Sequence, residues 1–148
     1  PLLTRFGIDY RTVARRVLTF ALDGRVGLPK AEFPPIHAMD DPSFRPDPAR
    51  VARVVERYGR YCTFCHGVEA KSAGVGPDLR ASRVPLDAAA FASVVRDGAL
   101  VPRGMPRFEE FTDEQLADLA FYIRTQAARW RDEERARTTA GAGAVRPR

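Results

Sequence analysis

Cysteine, histidine and methionine are scarce in this 148-residue chain, with two of each. Whatever sulfur or imidazole chemistry it performs is therefore confined to a few places. No run of about 18 apolar residues occurs, which excludes a membrane-spanning helix. No charged-then-apolar leader is present either, so nothing reads as a signal peptide. The chain begins with Pro1 instead of Met, which suggests a processed product or a fragment of something longer. Nucleic-acid motifs are absent, so the net charge of +5 has no such motif to serve. Most of the excess sits near the C-terminus, where Arg129, Arg131, Arg135, Arg137, Arg146 and Arg148 face Asp132, Glu133 and Glu134. A solvated basic tail is the expected reading.

What is present suits one modest domain with appendages. Hydrophobic residues make up 45% of the chain, enough for a core, while Pro 12 and Gly 11 call for long irregular connections. Both cysteines and one of the two histidines fall in Tyr61-Cys62-Thr63-Phe64-Cys65-His66. Cys-x-x-Cys-His is the sequence form of a c-type haem attachment site. Its two thiols add to the haem vinyl groups, and the adjacent imidazole ligates the iron. Two intervening residues keep the sulfurs within about one helical turn. The same pair could instead form a redox disulfide or half of a zinc site. Zinc would need a further ligand from His37, Met39 or Met105, and thioethers rarely complete such sites. A thioredoxin-like site should follow a β-strand, whereas Cys62 follows a helical pattern.

In chain order, Leu18, Phe20 and Leu22 alternate with smaller or polar residues, which predicts a single β-strand ended by a turn at Asp23-Gly24. Residues 25–47 hold Pro29, Pro34, Pro35, Pro42 and Pro46 and predict a linker, with His37 and Met39 at its surface. Asp47-Pro48 opens a helix as N-cap and first residue. Its apolar stripe of Val51, Val54, Val55, Tyr58 and Cys62 leads into the motif. Asp87 caps a second helix over residues 88–97, with Phe91, Val94 and Val95 inward and Gly98 at its end. Thr112 and Gln115 form a capping box for a last helix. Its apolar face is Leu116, Leu119, Ala120, Ile123, Ala127 and Trp130, and it should pack across the first helix. Beyond Glu134 the composition changes, and residues 140–144 are expected to be disordered. A lone Met is normally core filler. Met105, however, stands between Gly104 and Pro106 on an irregular loop with no stripe to join, so an iron ligand is the better reading beside a haem motif.

The order of helix, Cys62-x-x-Cys65-His66, Gly76-Pro77-Asp78-Leu79, Gly104-Met105-Pro106 and final amphipathic helix closely resembles the class I cytochrome c domain over roughly residues 48–128. The resemblance implies a mainly α fold around one covalent haem c. It makes His66 and Met105 the axial iron ligands, and it gives the Pro77 carbonyl a hydrogen bond from the His66 ring. Such a pair favours electron transfer and leaves no open position for oxygen chemistry. Arg16 to Arg25 and the following connection resemble the end of the propeller in quinohaemoprotein alcohol dehydrogenases. Phe91, Val94, Val95, Asp97-Gly98-Ala99-Leu100 and Arg103-Gly104-Met105 resemble the haem domain of that group.

That narrower resemblance implies a division into 1–24 (propeller remnant, with the terminal strand), 25–47 (Pro-rich linker), 48–130 (cytochrome c domain) and 131–148 (disordered basic tail). Pyrroloquinoline quinone (PQQ) and calcium would belong to a preceding dehydrogenase domain; none of the family's quinone, calcium or catalytic-base positions falls in this chain. The expected setting is the periplasm, and the expected partner is a respiratory acceptor: another cytochrome, a copper protein or a quinone-linked complex. A free-standing cytochrome c, or a haem subunit of another respiratory complex, is the alternative. A non-haem thiol-redox or zinc module is the remote one.

Overall fold

The structure, a computed structural model, describes residues 20–25, 27, 35–72 and 75–143, and of 140–143 the backbone alone. The chain divides into two units, Pro1–Ile36 and His37–Arg148. In the first, the Gly24 amide donates to the Ala21 carbonyl at 3.1 Å and closes the expected turn. Most of the expected strand, including Leu18, lies outside the described residues, as do Pro29 and Pro34 of the linker. Phe20 and Leu22 are described, are exposed and are not in a strand; no strand occurs among the described residues.

The second unit is helical. Helix α1, Pro48–Tyr61, starts where the sequence places it. The Asp47 carboxylate accepts from the Ala49 amide at 2.9 Å, and Pro48, with no amide to satisfy, fills the first position. Val54 and Tyr58 are buried and Val51 is half-buried, but Val55 is exposed; it falls on the solvent edge of the stripe instead of within it. A short helix α2, Thr63–His66, follows after the single residue Cys62. Helix α3, Ala88–Val95, is capped by Asp87, which accepts from the Ala90 amide at 2.9 Å, and buries Phe91 and Val95. Helix α4, Asp113–Gly143, opens on the expected capping box. There Thr112 and Gln115 exchange side-chain-to-amide bonds of 3.1 and 3.3 Å.

Helix α4 organises the core. Leu116, Leu119, Ile123, Ala127 and Trp130 are all buried, and Tyr122 stacks on Tyr58 of α1 with ring centroids 4.6 Å apart. Arg50 of α1 and Asp118 of α4 pair at 2.7 Å, a second link between the two helices. The helix also continues well past Glu134, against the expected disorder at 140–144, of which Ala144 lies outside the described residues. Ala, Arg and Glu are strong helix formers. In addition, Thr138 and Thr139 satisfy their hydroxyls on the carbonyls of Glu134 and Arg135 one turn back, at 3.0 Å each. The Gly and Thr content of this stretch masks the first effect, and composition alone does not register the second.

The proline-rich segment corrects two further expectations. His37 is exposed as expected, but Met39 is 3% exposed and belongs to the main core. A segment without helix or strand can be buried only if its backbone finds partners. Here the Met39 amide donates to the Arg80 carbonyl at 2.7 Å. The Arg131 guanidinium donates to the carbonyls of Met39 and, at 3.0 Å, of Asp41. Arg131 is therefore a structural clamp and not part of a solvated tail. Arg124 adds an ion pair to the buried Asp41 at 2.7 Å, and its guanidinium lies 4.5 Å from the centroid of Phe44, which packs on Phe121.

Tyr58 links this core to the motif loop, because its hydroxyl donates to the Gly67 carbonyl at 3.0 Å. Burial holds its phenol protonated far above the usual 10.0, and charge on Cys62 or Tyr122 would add to the effect. An unfolded tyrosine loses its proton near 10 while the folded one keeps it, so the folded state binds more protons and stability falls as pH rises above 10. Tyr58→Phe should cost about 0.5–1.5 kcal/mol in urea unfolding at pH 7. It should also flatten the decline in stability between pH 9 and 11 relative to the parent chain; an unchanged alkaline slope would refute the assignment.

Candidate functional site

The end of α1 delivers the motif. The Cys62 amide donates to the Tyr58 carbonyl and the His66 amide to the Cys62 carbonyl, both at 2.9 Å, so the helical path carries through both cysteines. The two thiols are free and half-buried. His66 is 7% exposed, and its Nδ1 lies 3.0 Å from the Pro77 carbonyl oxygen, which can only accept, so Nδ1–H is the donor and Nε2 takes no part in this bond.

That contact depends on the neighbouring glycine. A Cβ on Gly76 would stand 2.9 Å from both Cε1 and Nδ1 of His66 and 3.0 Å from the Cys65 carbonyl oxygen. The Gly76 amide also donates to that carbonyl at 2.7 Å, and its own carbonyl accepts from the Ser72 hydroxyl. On the far side of Pro77, Asp78 and Arg80 form a buried two-point ion pair at 2.9 and 2.7 Å. The Arg80 guanidinium lies 4.4 Å from the centre of the Trp130 ring. The loop that carries the Pro77 carbonyl is thus anchored on α4.

Met105 arrives from another direction. A short 3₁₀ turn, Val101–Arg103, ends at Gly104 with φ of +89°, a left-handed position that suits glycine, and the Met105 amide donates to the Leu100 carbonyl at 3.3 Å. Beyond it, Phe108 is tied to α3 through the Val95 carbonyl at 2.9 Å. Phe108 stacks on Phe111 at 5.3 Å, and Tyr61 meets Phe111 edge-on at 5.0 Å. This aromatic cluster fastens the methionine loop beside the cysteine motif. The sequence reading left it out, because Tyr61, Phe108 and Phe111 share no helical register.

Cys62, Cys65, His66, Pro77 and Met105, the five residues singled out from the sequence, all line one cavity of about 360 Å³. Its remaining wall is mostly apolar and includes Phe91, Val95, Leu119 and Ile123 from α3 and α4. The volume lies within the range of small-molecule and cofactor sites, about 300–1,000 Å³. The donor set fits a c-type haem: two free thiols one turn apart, a buried imidazole with one nitrogen fixed, and a thioether on the same apolar cavity. It does not fit zinc, because no group of three or more His, Cys, Asp or Glu among the described residues is placed to hold a metal. Nor does it fit a reactive thiol pair, which depends on a depressed pKa. Burial, with charge on Cys65 adding to it, pushes the Cys62 thiol up to about 11.

Comparison with known proteins agrees with this geometry. Residues 49–123 match the family described as cytochrome c oxidase, cbb3-type, subunit III. The dehydrogenase subunit of alcohol dehydrogenase (quinone) from Gluconobacter oxydans is 37% identical over 123 residues, 80% of this chain and 16% of that protein. Quinohemoprotein alcohol dehydrogenase ADH IIB from Pseudomonas putida is 36% identical over 112 residues, 73% of this chain and 16% of its own length. Lupanine 17-hydroxylase [cytochrome c] from a Pseudomonas species is 33% identical over 136 residues, 87% and 18% respectively. The chain thus spans less than a fifth of the curated relatives it matches.

Two glycines separate the site from the scaffold. Gly76→Ala should destabilise the chain by about 1–3 kcal/mol through overpacking. It should also shift the His66 ring resonances in NMR as the Pro77 contact breaks. Gly59→Ala, in the interior of α1 with nothing within 4 Å of the added carbon, should instead stabilise by roughly 0.5–1 kcal/mol and leave those resonances in place. A tolerated Gly76→Ala with an unmoved ring would overturn the packing argument.

Proposed function

This chain belongs to the cytochrome c domains of the cbb3-type oxidase subunit III family, and from that premise we propose that it is the electron-relay domain of a periplasmic, PQQ-dependent dehydrogenase. The observation that carries the reading is the convergence of Cys62, Cys65, His66 and Met105 on one apolar cavity. Cys62 and Cys65 would hold a single haem c through thioether bonds, and His66 Nε2 and Met105 Sδ would ligate its iron. Bound there, the haem supplies a one-electron ferric/ferrous couple. Pro77 holds the His66 ring in one orientation and strengthens it as a donor. The apolar walls from α3 and α4 exclude water and favour the ferrous state, as the thioether also does. No residue of this chain is assigned to substrate, and the names of the relatives point to different compounds, an alcohol in two cases and lupanine in the third.

In this reading a preceding domain of the same polypeptide, bearing PQQ and calcium, delivers electrons one at a time. They leave to a respiratory acceptor: another cytochrome, a copper protein or a quinone-linked complex. The names of the relatives support the dehydrogenase assignment. No helix of the described residues is long and apolar enough to cross a membrane. A second reading, a haem subunit of another respiratory complex, is favoured by the oxidase description of the matching family. Coding sequence upstream of Pro1 separates the two, since only the dehydrogenase requires a propeller there.

Expressed with a c-type maturation system, the chain should give a pyridine haemochrome spectrum of covalently bound haem, and absence of that signal would end the proposal. Met105→Ala should abolish the thioether-to-iron charge-transfer band and lower the reduction potential. An unchanged band would remove Met105 from the ligand set while leaving the haem attachment standing.

A further inference from the structure

We propose that Arg103 is the counter-charge for a carboxylate of the bound haem, and that it holds the reduction potential up. The inference rests on the haem reading above. Among the described residues that wall the cavity, Arg103 is the one permanent charge. His66 is the other basic group there, and its Nδ1 is already engaged by Pro77. Around them the wall is apolar apart from the two thiols, the thioether and the hydroxyl-bearing Tyr61 and Ser82.

Among the described residues the Arg103 guanidinium has no carboxylate partner, as is also true of Arg53, Arg57 and Arg83, but of these four it alone lines the cavity. Arg50, Arg80, Arg96, Arg107 and Arg124 each pair with a carboxylate. The Arg103 side chain makes no hydrogen bond or ion pair with any described residue, so its five donors are uncommitted among them. Its backbone is nonetheless fixed: the Arg103 amide donates to the Leu100 carbonyl at 2.9 Å, the same acceptor that receives the Met105 amide. One turn therefore carries both the proposed ligand and a cation at the mouth of the cavity.

Haem is an apolar plate with two carboxylates on one edge. An apolar wall takes the plate, but burying an unpaired carboxylate there is costly, so that edge must lie where the wall is open or cationic. Arg103 is exposed and supplies both conditions, and a planar guanidinium accommodates a carboxylate through two parallel bonds. The electrostatic consequence has a definite sign. The ferric state carries one more positive charge than the ferrous, so a carboxylate beside the ring favours ferric iron. Neutralising that carboxylate shifts the balance back towards ferrous and raises the potential.

The test is spectroelectrochemical titration of the haem-loaded chain and of three variants, each first checked for haem content and for the thioether charge-transfer band. Arg103→Gln should shift the ferric-to-ferrous ratio at fixed poise at least threefold towards ferric, roughly 30 mV at 59 mV per tenfold for a one-electron couple. Arg103→Lys should recover most of that shift, because charge is retained while only the paired geometry is lost. Arg53→Gln removes the same charge from an exposed position outside the cavity and should leave the potential where it was. A potential for Arg103→Gln equal to that of Arg53→Gln overturns the inference, as does an Arg103→Lys variant as low as Arg103→Gln. Loss of the charge-transfer band in Arg103→Gln also overturns it, since the residue would then be holding the loop. Absence of covalent haem from the parent chain removes the haem reading itself, a result distinct from the other three.

Discussion

The contact between the His66 ring and the Pro77 carbonyl is the constraint on which the rest of the site depends. An imidazole has two usable nitrogens and can rotate, so a buried histidine is a defined ligand only when one nitrogen is engaged. That engagement needs a carbonyl brought within hydrogen-bonding distance of the ring, with the preceding residue passing across the ring face. Gly76 is the residue that passes there, and the space a side chain would need is already filled by His66. The Ser72 hydroxyl, the Asp78–Arg80 pair and the Trp130 ring then hold the loop against the helical scaffold. Each layer has a different chemistry, and each serves to fix one oxygen atom.

The long last helix is what makes those layers compatible. It contributes Leu119 and Ile123 to the cavity wall, Trp130 to the stack on Arg80, and Tyr122 to the packing against the first helix. The methionine loop is fastened from elsewhere, by Tyr61, Phe108 and Phe111 and by the backbone bond from Phe108 to α3. The two sides of the cavity are thus supported by different elements. Tyr61, the residue before Cys62, is where the two supports meet.

The parts of this arrangement visible in the sequence are those whose chemistry is local. Asp47, Asp87 and the Thr112–Gln115 box announce their helices because capping is settled within three or four residues. The Cys62 to His66 spacing announces its chemistry for the same reason. Met105 is legible by contrast with its surroundings, a methionine flanked by Gly104 and Pro106 with no stripe to join. What the sequence conceals is decided between distant positions. Met39 lies in a proline-rich stretch that looks exposed, and it is buried because Arg80 and Arg131 satisfy the backbone on either side of it. Arg131 looks like one more tail arginine until its acceptors, some ninety positions earlier, are known. Val55 errs the other way: its spacing fits the stripe, but the neighbouring elements cover only the face bearing Val54 and Tyr58.

The segment around Met39 and Asp41 also determines how this protein can be divided. A fragment begun at the Asp47 cap, where the composition invites a cut, would strip the cover from Phe121 and Ala128 and leave Arg124 and Arg131 without their acceptors. Such a fragment would keep Cys62, Cys65, His66 and Met105 yet present a fresh apolar face to solvent, with aggregation as its natural fate. Proteases should meet the opposite situation in the intact chain: a stretch rich in proline and free of regular structure, yet too firmly held from 39 to 44 to enter a cleft in extended form.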